Sequence, residues 1–586
     1  MVYRINFANI LFCLCFATIS QAQSPKIHPS VSEQFQRQTV VEIVVLMREQ
    51  ADLSAAQQLM TKEAKGAFVF QILRGTAERT QADIQQFLKN QQVPFQSYWI
   101  VNCLYLKADR TLALALANRS DVAEIMNNPH TQLDLLPDNT SLPQAENINI
   151  PWGISRILAD SVWALGFRGQ GAVIGGQDTG YDWLHPALRP KYRGFNSTTG
   201  LADHNYNWHD AIHPDTGSRG NPCGYNALAP CDDNAHGTHT MGTMVGRTDT
   251  DHIGVAPDAR WMAARNMDRG DGTPVTYIEC FQWFIAPTDL AGRLPSPRLA
   301  PHVINNSWSC PPSEGCNPSN FALMDAAIRA TRAAGIVVVI SAGNSGSGCG
   351  SINAPPAIHA PSFDVGATQP DDTIAGFSSR GAVTIDGSNR LKPNVSAPGV
   401  GVRSSVLNNG YANFSGTSMA GPHVAGVVAL MISANPLIAG HVDSIERILE
   451  RTAKPLITDQ NCQGVRGTQI PNNTYGWGRI NALAAVREAI RFVPRGRTSS
   501  KEIDNQSFVQ AYPNPFSSDL TFYTEGVIGE TLIQILSVNG QIVFSQKEKA
   551  QDKSTIVCPL PKLPAGIYFY KIQNGEKFWT GKITKH

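Results

Sequence analysis

Between Trp152 and Phe492 the chain repeats one pattern, in which short unbroken runs of apolar residues alternate with turns and helical segments. Ile336-Val337-Val338-Val339-Ile340 is the clearest such run, fed by a helical segment from Ala322 to Ala334; Ala172-Val173-Ile174 runs into Gly175-Gly176, and Val303-Ile304 into Asn305-Asn306. A strand without polar alternation must be covered on both faces, and strand–helix alternation provides that cover only around a parallel sheet. The expected fold class is therefore α/β, a parallel sheet flanked by helices. Ligands of such sheets bind beyond the carboxyl ends of the strands.

The whole chain has 586 residues, about four times a 150-residue domain, so this sheet should not be alone. Residues 1–22 place a charged start, a short apolar stretch (Ile10 to Ile19) and Ser20-Gln21-Ala22 in the order of a cleavable signal peptide. That stretch falls well short of the roughly 20 residues needed to span a bilayer, and no later run is expected to do so. Cys13 follows the bulky Phe12, which argues against a lipid anchor. Residues 23–147 carry β-rich runs at Val40 to Met47 and Tyr98 to Lys107, with Ile84, Phe87 and Leu88 at helical spacing between them. They read as a small α+β domain closed by a polar, proline-bearing linker from Pro137 to Ile150. The main domain covers 148–493, and a charged, polar linker covers 494–506. Residues 507–586 form a β-rich or β-sandwich module around the hairpin signal Asn539-Gly540.

Charged residues make up 16% of the chain and the net charge is +1, which leaves no basic excess for gripping nucleic acid. Of the eleven cysteines, seven fall in the main domain, an odd set that cannot all pair. Cys223 with Cys231 and Cys310 with Cys316 are close enough to close short loops in an exported protein. A Cys/His zinc site lacks its Cys-x-x-Cys spacing.

Four segments carry chemistry. In Phe414-Ser415-Gly416-Thr417-Ser418-Met419-Ala420-Gly421-Pro422-His423, Ser418 sits where a loop becomes an apolar helix, beside backbone N–H groups able to stabilise negative charge. A plain N-cap is the bland alternative. A serine is a weak nucleophile until a base takes its proton, and His236-Gly237-Thr238-His239 opens a helix that supplies one. His236 and His239 could instead hold a metal, but no carboxylate completes that face. The imidazole needs a buried carboxylate; Asp178 ends the strand that starts at Ala172, with Asp182 four residues on as a rival. Asn344, in Ser341-Ala342-Gly343-Asn344, follows the strand Ile336 to Ile340 and can aim its amide at a developing oxyanion. Gly416-Thr417-Ser418-Met419-Ala420 lacks the second glycine of an esterase elbow.

In these four motifs the chain resembles the subtilisin-like serine peptidases, the subtilase family, whose chain order Asp, His, Ser it shares. The resemblance spans about Trp152 to Phe492. It implies Ser418 as nucleophile, His236 as general base and then acid, Asp178 as its orienting partner, and Asn344 with the Ser418 N–H as oxyanion donors. A free imidazole titrates near ~6.5, so activity is expected to rise through neutral pH. The resemblance further implies that Ser307-Trp308-Ser309 pair with substrate as an edge strand and that Ala342-Gly343 line the pocket before the cut. Ser309 stands where many members have glycine. Gln177 and Asn305-Asn306-Ser307-Trp308 look most like the bacillopeptidase F branch. With no acidic residue in these matched segments, the expectation is a broad apolar preference rather than strict Lys or Arg.

Residues 23 to 136 resemble the family's inhibitory propeptide. The tail, with Tyr512-Pro513-Asn514-Pro515-Phe516 and Gly566-Ile567-Tyr568, resembles the sorting domain read by the type IX secretion machinery, with a β-rich binding module as the alternative. The resemblance thus implies a secreted or surface serine endopeptidase made as a zymogen, with protein or peptide substrates and no catalytic cofactor. Calcium commonly steadies the family; Asp232-Asp233 or Asp249 with Asp251 could donate oxygens, but no Asp-x-Asp-x-Asp-Gly loop appears. The competing class is a subtilase fold that has lost catalysis and serves as a surface binding protein.

Overall fold

A computed structural model describes residues 26–133, 150–214, 221–494 and 508–586, apart from 526, 539, 540, 553, 561 and 576. The signal segment, both linkers except their end residues Ile150 and Pro494, and the Asn539-Gly540 turn therefore lie outside the described residues.

The main domain is built on seven parallel strands in the order Val395–Pro398, Phe363–Thr368, Val337–Ser341, Val303–Asn306, Val173–Asp178, Arg260–Arg265 and Trp208–Asp210. Every residue of Val337–Ser341 is buried, as its unbroken apolar run demands. Helices Pro274–Ile285 and Pro318–Ala333 cover one face, packing against Ile304, Val338 and Ile340. Both start on capping boxes with proline in the first turn, set by Thr273 and Asn317. The opposite face packs against the helix Thr417–Ala434, whose Val424, Val427, Val428 and Met431 join Val303, Val337 and Val339 in one core. That 18-residue helix corrects the expectation that no later run could span a bilayer: it has the length and composition, yet is almost wholly buried. The α/β architecture is borne out.

Three disulfides tie the loops, Cys223–Cys231, Cys310–Cys316 and Cys349–Cys462, which leaves Cys280 as the buried odd thiol of the main domain. The first two are the short loops expected from spacing; the third joins residues 113 apart.

The N-terminal domain is an antiparallel sheet in the order Phe95–Tyr98, Cys103–Asp109, Val40–Met47 and Val122–Asn127, with helices Lys62–Thr80, Ala82–Asn90 and Arg110–Ala117. The expected second β run is split in two, because Asn102 adopts a left-handed φ of 42° between the halves. This sheet docks on the two covering helices, where Asn320 Nδ2 donates to the Asn127 carbonyl (2.9 Å) and the Val275 N–H to Asn128 Oδ1 (3.2 Å). Beyond it, Thr131–Gln132 forms a short antiparallel ladder with Asp271–Gly272 of the main domain.

The C-terminal module holds two antiparallel sheets, of three and four strands, around Phe516, Leu520, Phe522, Ile533, Ile535, Ile572 and Ile583. Strands Gly529–Ser537 and Ile542–Ala550, on either side of Asn539-Gly540, pair antiparallel.

Candidate active site

Asp178 is the last residue of the strand Val173–Asp178, and His236 is the first of the helix His236–Val245. The two side chains meet at 2.7 Å, His236 Nδ1 to Asp178 Oδ1, and both are about 1% exposed. A neutral imidazole with Nδ1–H donated to a carboxylate leaves Nε2 as acceptor. Asp178 Oδ1 also accepts the Thr179 N–H (2.8 Å). The rival Asp182 turns elsewhere, accepting the Leu184 N–H at 3.2 Å.

Backbone packing brings the strand end and the helix start together. Gly180 has φ of 119°, and a Cβ there would overlap the Cys231 carbonyl; a Cβ at Gly237 would overlap the Gly180 carbonyl. Glycine at both positions lets the two segments touch. Asp232 then fastens them: Oδ1 accepts Thr179 Oγ1 (2.9 Å), Asn234 N (3.0 Å) and Ala235 N (3.1 Å), and Oδ2 accepts Thr238 N (3.0 Å) and Thr238 Oγ1 (2.6 Å). Burial raises its pKa against the pull of these donors. Sequence reasoning offered Asp232 only as a cation ligand; its signal as a clamp was its place just ahead of a helix start.

The metal alternative for His236 and His239 does not match the geometry. His239 Nε2 lies 2.9 Å from the Val402 carbonyl and its ring stacks on Phe414 at 4.3 Å. Burial, with the neighbouring His236 adding to it, pushes the His239 pKa down to about 3. Three of the four residues suggested for calcium are engaged by other partners. Asp232 is saturated with donors, Asp233 pairs with the buried Arg265 at 2.6 Å, and Asp251 pairs with Arg403 at 2.7 Å. Among the described residues no group of three His, Cys, Asp or Glu side chains is arranged to hold a metal.

Ser418 stands in the first turn of Thr417–Ala434, behind Gly416, which offers the helix no side-chain cap. Asn344 takes up that role, its Oδ1 accepting both Thr417 N and Thr417 Oγ1 at 2.9 Å. Two donors meeting one atom identify it as the amide oxygen and turn the NH2 group away from Thr417. Pro422 has no N–H to give to the Ser418 carbonyl four residues back, and Ser307 Oγ donates to that carbonyl instead (3.2 Å). Ser341 Oγ donates to the Thr417 carbonyl (3.0 Å). The ends of two sheet strands thus pin the first turn of the Ser418 helix. The role of Ser307 was legible only by pairing it with a proline 115 positions later in the chain.

The helices that begin at His236 and Thr417 pack against each other. Among the described hydrogen bonds the His236 ring bonds to Asp178 and none joins it to the Ser418 hydroxyl; such bonds are often long before substrate arrives.

Ser418 opens on a cavity of about 470 Å³, whose walls include Asn344, Ala342, Gly343, Ser307, Trp308 and Ser309. All the substrate-contacting residues expected from sequence therefore share one cavity with the serine. Ser307 to Ser309 carry no strand ladder, because the strand ends at Asn306, and Trp308 is instead stacked on Tyr277 at 3.7 Å. The cavity also takes in Gln132 and Leu133 of the N-terminal domain, and Glu314 from the Cys310–Cys316 loop. No sequence motif pointed to Glu314.

Comparisons with known proteins agree with this layout. The profile of the "Subtilase family" matches residues 169–478, and that of the "Secretion system C-terminal sorting domain" matches residues 510–586. Bacillopeptidase F of Bacillus subtilis (strain 168) is 34% identical over 492 residues, covering 79% of this chain and 32% of that protein. M-protease of Shouchella clausii (strain KSM-K16) is 31% identical over 342 residues, 58% of this chain and 70% of its own length. Subtilisin Savinase of Lederbergia lenta is 30% identical over 342 residues and is covered to 99%. The chain spans about a third of the length of bacillopeptidase F.

Proposed function

The chain belongs to the subtilase family, and on that premise we propose that it is a secreted serine endopeptidase, made as a self-processed zymogen, that cuts peptide bonds through an acyl-enzyme. The observation that carries this reading is the buried 2.7 Å His236–Asp178 pair beside a nucleophile helix whose N-terminus is fastened by Asn344.

In this reading Ser418 Oγ attacks the scissile carbonyl while its proton passes to His236 Nε2. The new oxyanion is met by Asn344 Nδ2 and the Ser418 N–H, donors held in place before charge develops. Asp178 keeps Nδ1–H pinned and stabilises the imidazolium. The C–N bond breaks as His236 returns the proton to the leaving amine, and water then repeats the sequence to release the acid. No cofactor enters.

The N-terminal domain acts as inhibitor. Its support is the strand Thr131–Gln132, laddered on Asp271–Gly272, with Gln132 and Leu133 already in the cavity of Ser418. The sorting domain indicates export to the cell surface or beyond, and we assign it to the type IX secretion machinery.

The test is casein hydrolysis and N-terminal sequencing of the secreted chain beside Ser418→Ala. The reading expects cleavage by the wild type, none by the variant, and retention of the N-terminal domain only in the variant. A wild type that folds, is exported and never cuts would instead favour the surface binding protein.

A further inference from the structure

The Cys310–Cys316 loop adds to the substrate cavity a feature that none of the shared motifs encodes. Among the described residues lining the cavity, Glu314 alone bears a charge; the rest are apolar, amide, hydroxyl or glycine. It sits on a tight turn, Pro312–Glu314, closed by the Glu314 N–H to the Pro311 carbonyl at 3.0 Å, by Gly315 at φ of 96°, and by the disulfide. A turn so tied holds its carboxylate where the chain places it.

The strand in the cavity shows what that carboxylate can reach. Glu314 Oε2 accepts the backbone N–H of Gln132 at 3.2 Å. On the other side of this strand Gln132 is paired in register with Asp271, and the Asp271 carboxylate lies 2.9 Å from Nδ1 of His130. The strand is thus flanked by two carboxylates, and at one of them the N-terminal domain already presents a basic side chain. A peptide that replaces this strand meets the same two anions.

We infer that Glu314 is a specificity-determining residue that gives this peptidase a preference for substrates with Lys or Arg in the residues just upstream of the cut bond. The inference rests on the peptidase reading above and narrows its substrate class. It replaces the broad apolar preference expected from the shared motifs alone, which contain no acidic residue. The backbone N–H that Glu314 holds in the precursor gives way to an ammonium or guanidinium, a charge-assisted partner.

The experiment uses the full chain, secreted and self-processed, with fluorogenic peptides alike except for Lys, Gln or Glu at each of three successive upstream positions. At one position Lys should exceed Gln about two- to fivefold in kcat/KM, the scale of a partly exposed ion pair. The Lys/Glu ratio should collapse in Glu314→Gln and invert in Glu314→Lys. Should either variant fail to be exported, salt decides in the wild type. Raising it from about 0.01 to about 1 M shortens the screening length from about 30 to about 3 Å and should erase the Lys advantage. Equal cleavage of Lys and Gln peptides at all three positions, or a ratio untouched by Glu314→Gln and by salt, overturns the inference. Cleavage of the Gln peptide, abolished in Ser418→Ala, reports on the peptidase reading separately, so a chain that cuts no peptide defeats that reading and this inference with it.

Discussion

Two of the contacts that the N-terminal domain makes with the peptidase domain are of different kinds. On the covering helices they are made by particular side chains: Tyr98 Oη donates to Glu279 Oε2 (2.8 Å), and Gln282 Oε1 accepts the N–H groups of Trp99 (2.7 Å) and Ile100 (3.2 Å). Glu279 is itself held by His209 and His213 at 2.9 and 2.8 Å beside a cavity of about 840 Å³. Burial opposes its ionisation, but the two imidazoles hold its carboxyl well below the usual carboxylate range. In the cleft the frame of the contact is backbone, the Thr131–Gln132 ladder and the Leu133 N–H to the Gly270 carbonyl at 2.7 Å, with side-chain bonds added by His130 to Asp271 (2.9 Å) and Thr131 to Tyr277 (2.7 Å). Any extended peptide can copy the backbone ladder of the second contact, and none lacking that sheet can copy the first. On the proposed reading the difference follows, since an inhibitor must be recognised individually, whereas a protease must accept many sequences through one strand-shaped slot.

The largest test of this contrast removes the chemistry and leaves both contacts in place. Ser418→Ala should lower casein hydrolysis by about ten-thousand-fold or more while the N-terminal domain stays attached, seen as an uncut band of the secreted chain. Next, Asn344→Ala should cut kcat by about a hundred- to a thousandfold with little change in KM, the loss measured when subtilisin is deprived of one oxyanion donor. Because Asn344 Oδ1 also caps Thr417, the variant should melt earlier by a few degrees, about 1 kcal/mol of cap.

Gln282→Leu acts on the helical dock alone. It strands the part-buried N–H groups of Trp99 and Ile100, at about 1 kcal/mol each, so the cut N-terminal domain should co-purify with the peptidase about tenfold less, with kcat of the freed enzyme unchanged. Equal co-purification would show that the cleft strand, not the dock, carries the affinity.

The smallest effect concerns pH. The hydrogen bond to Asp271 raises the His130 pKa, with burial opposing it. A raised pKa stabilises the bound strand fully below the free imidazole value, near ~6.5, and that contribution fades as pH climbs through the raised value. His130 is 40% exposed, so solvent screening keeps the effect to a few-fold. Release of the cut N-terminal domain should therefore quicken modestly above neutrality and lose that slope in His130→Gln.

The reactive groups were legible because each stands at a boundary that local sequence marks. Asp178 and Asn344 follow apolar strand runs, while His236 and Ser418 open helices. Val40–Met47 and His236–Val245 begin where their residue patterns predict. Less was legible wherever a side chain answers a distant one. Asp232 read as a cation ligand and is a clamp between two segments. Ser307 read as part of a substrate strand and also serves the carbonyl that Pro422 leaves unmet. Glu314 lay outside every shared motif and still reaches the cavity.

The sequence by itself determined which segments become strand or helix and which chemical groups the chain possesses, because backbone sterics, capping and apolar runs act over a few residues. Only the tertiary structure decided which carboxylate serves which partner: Asp178 the imidazole, Asp232 a set of N–H and O–H donors, Asp233 an arginine, Glu314 the cavity. Once water is excluded, a carboxylate is governed by the donors and charges within a few ångströms. Those neighbours come from strand ends and loops that only folding brings together.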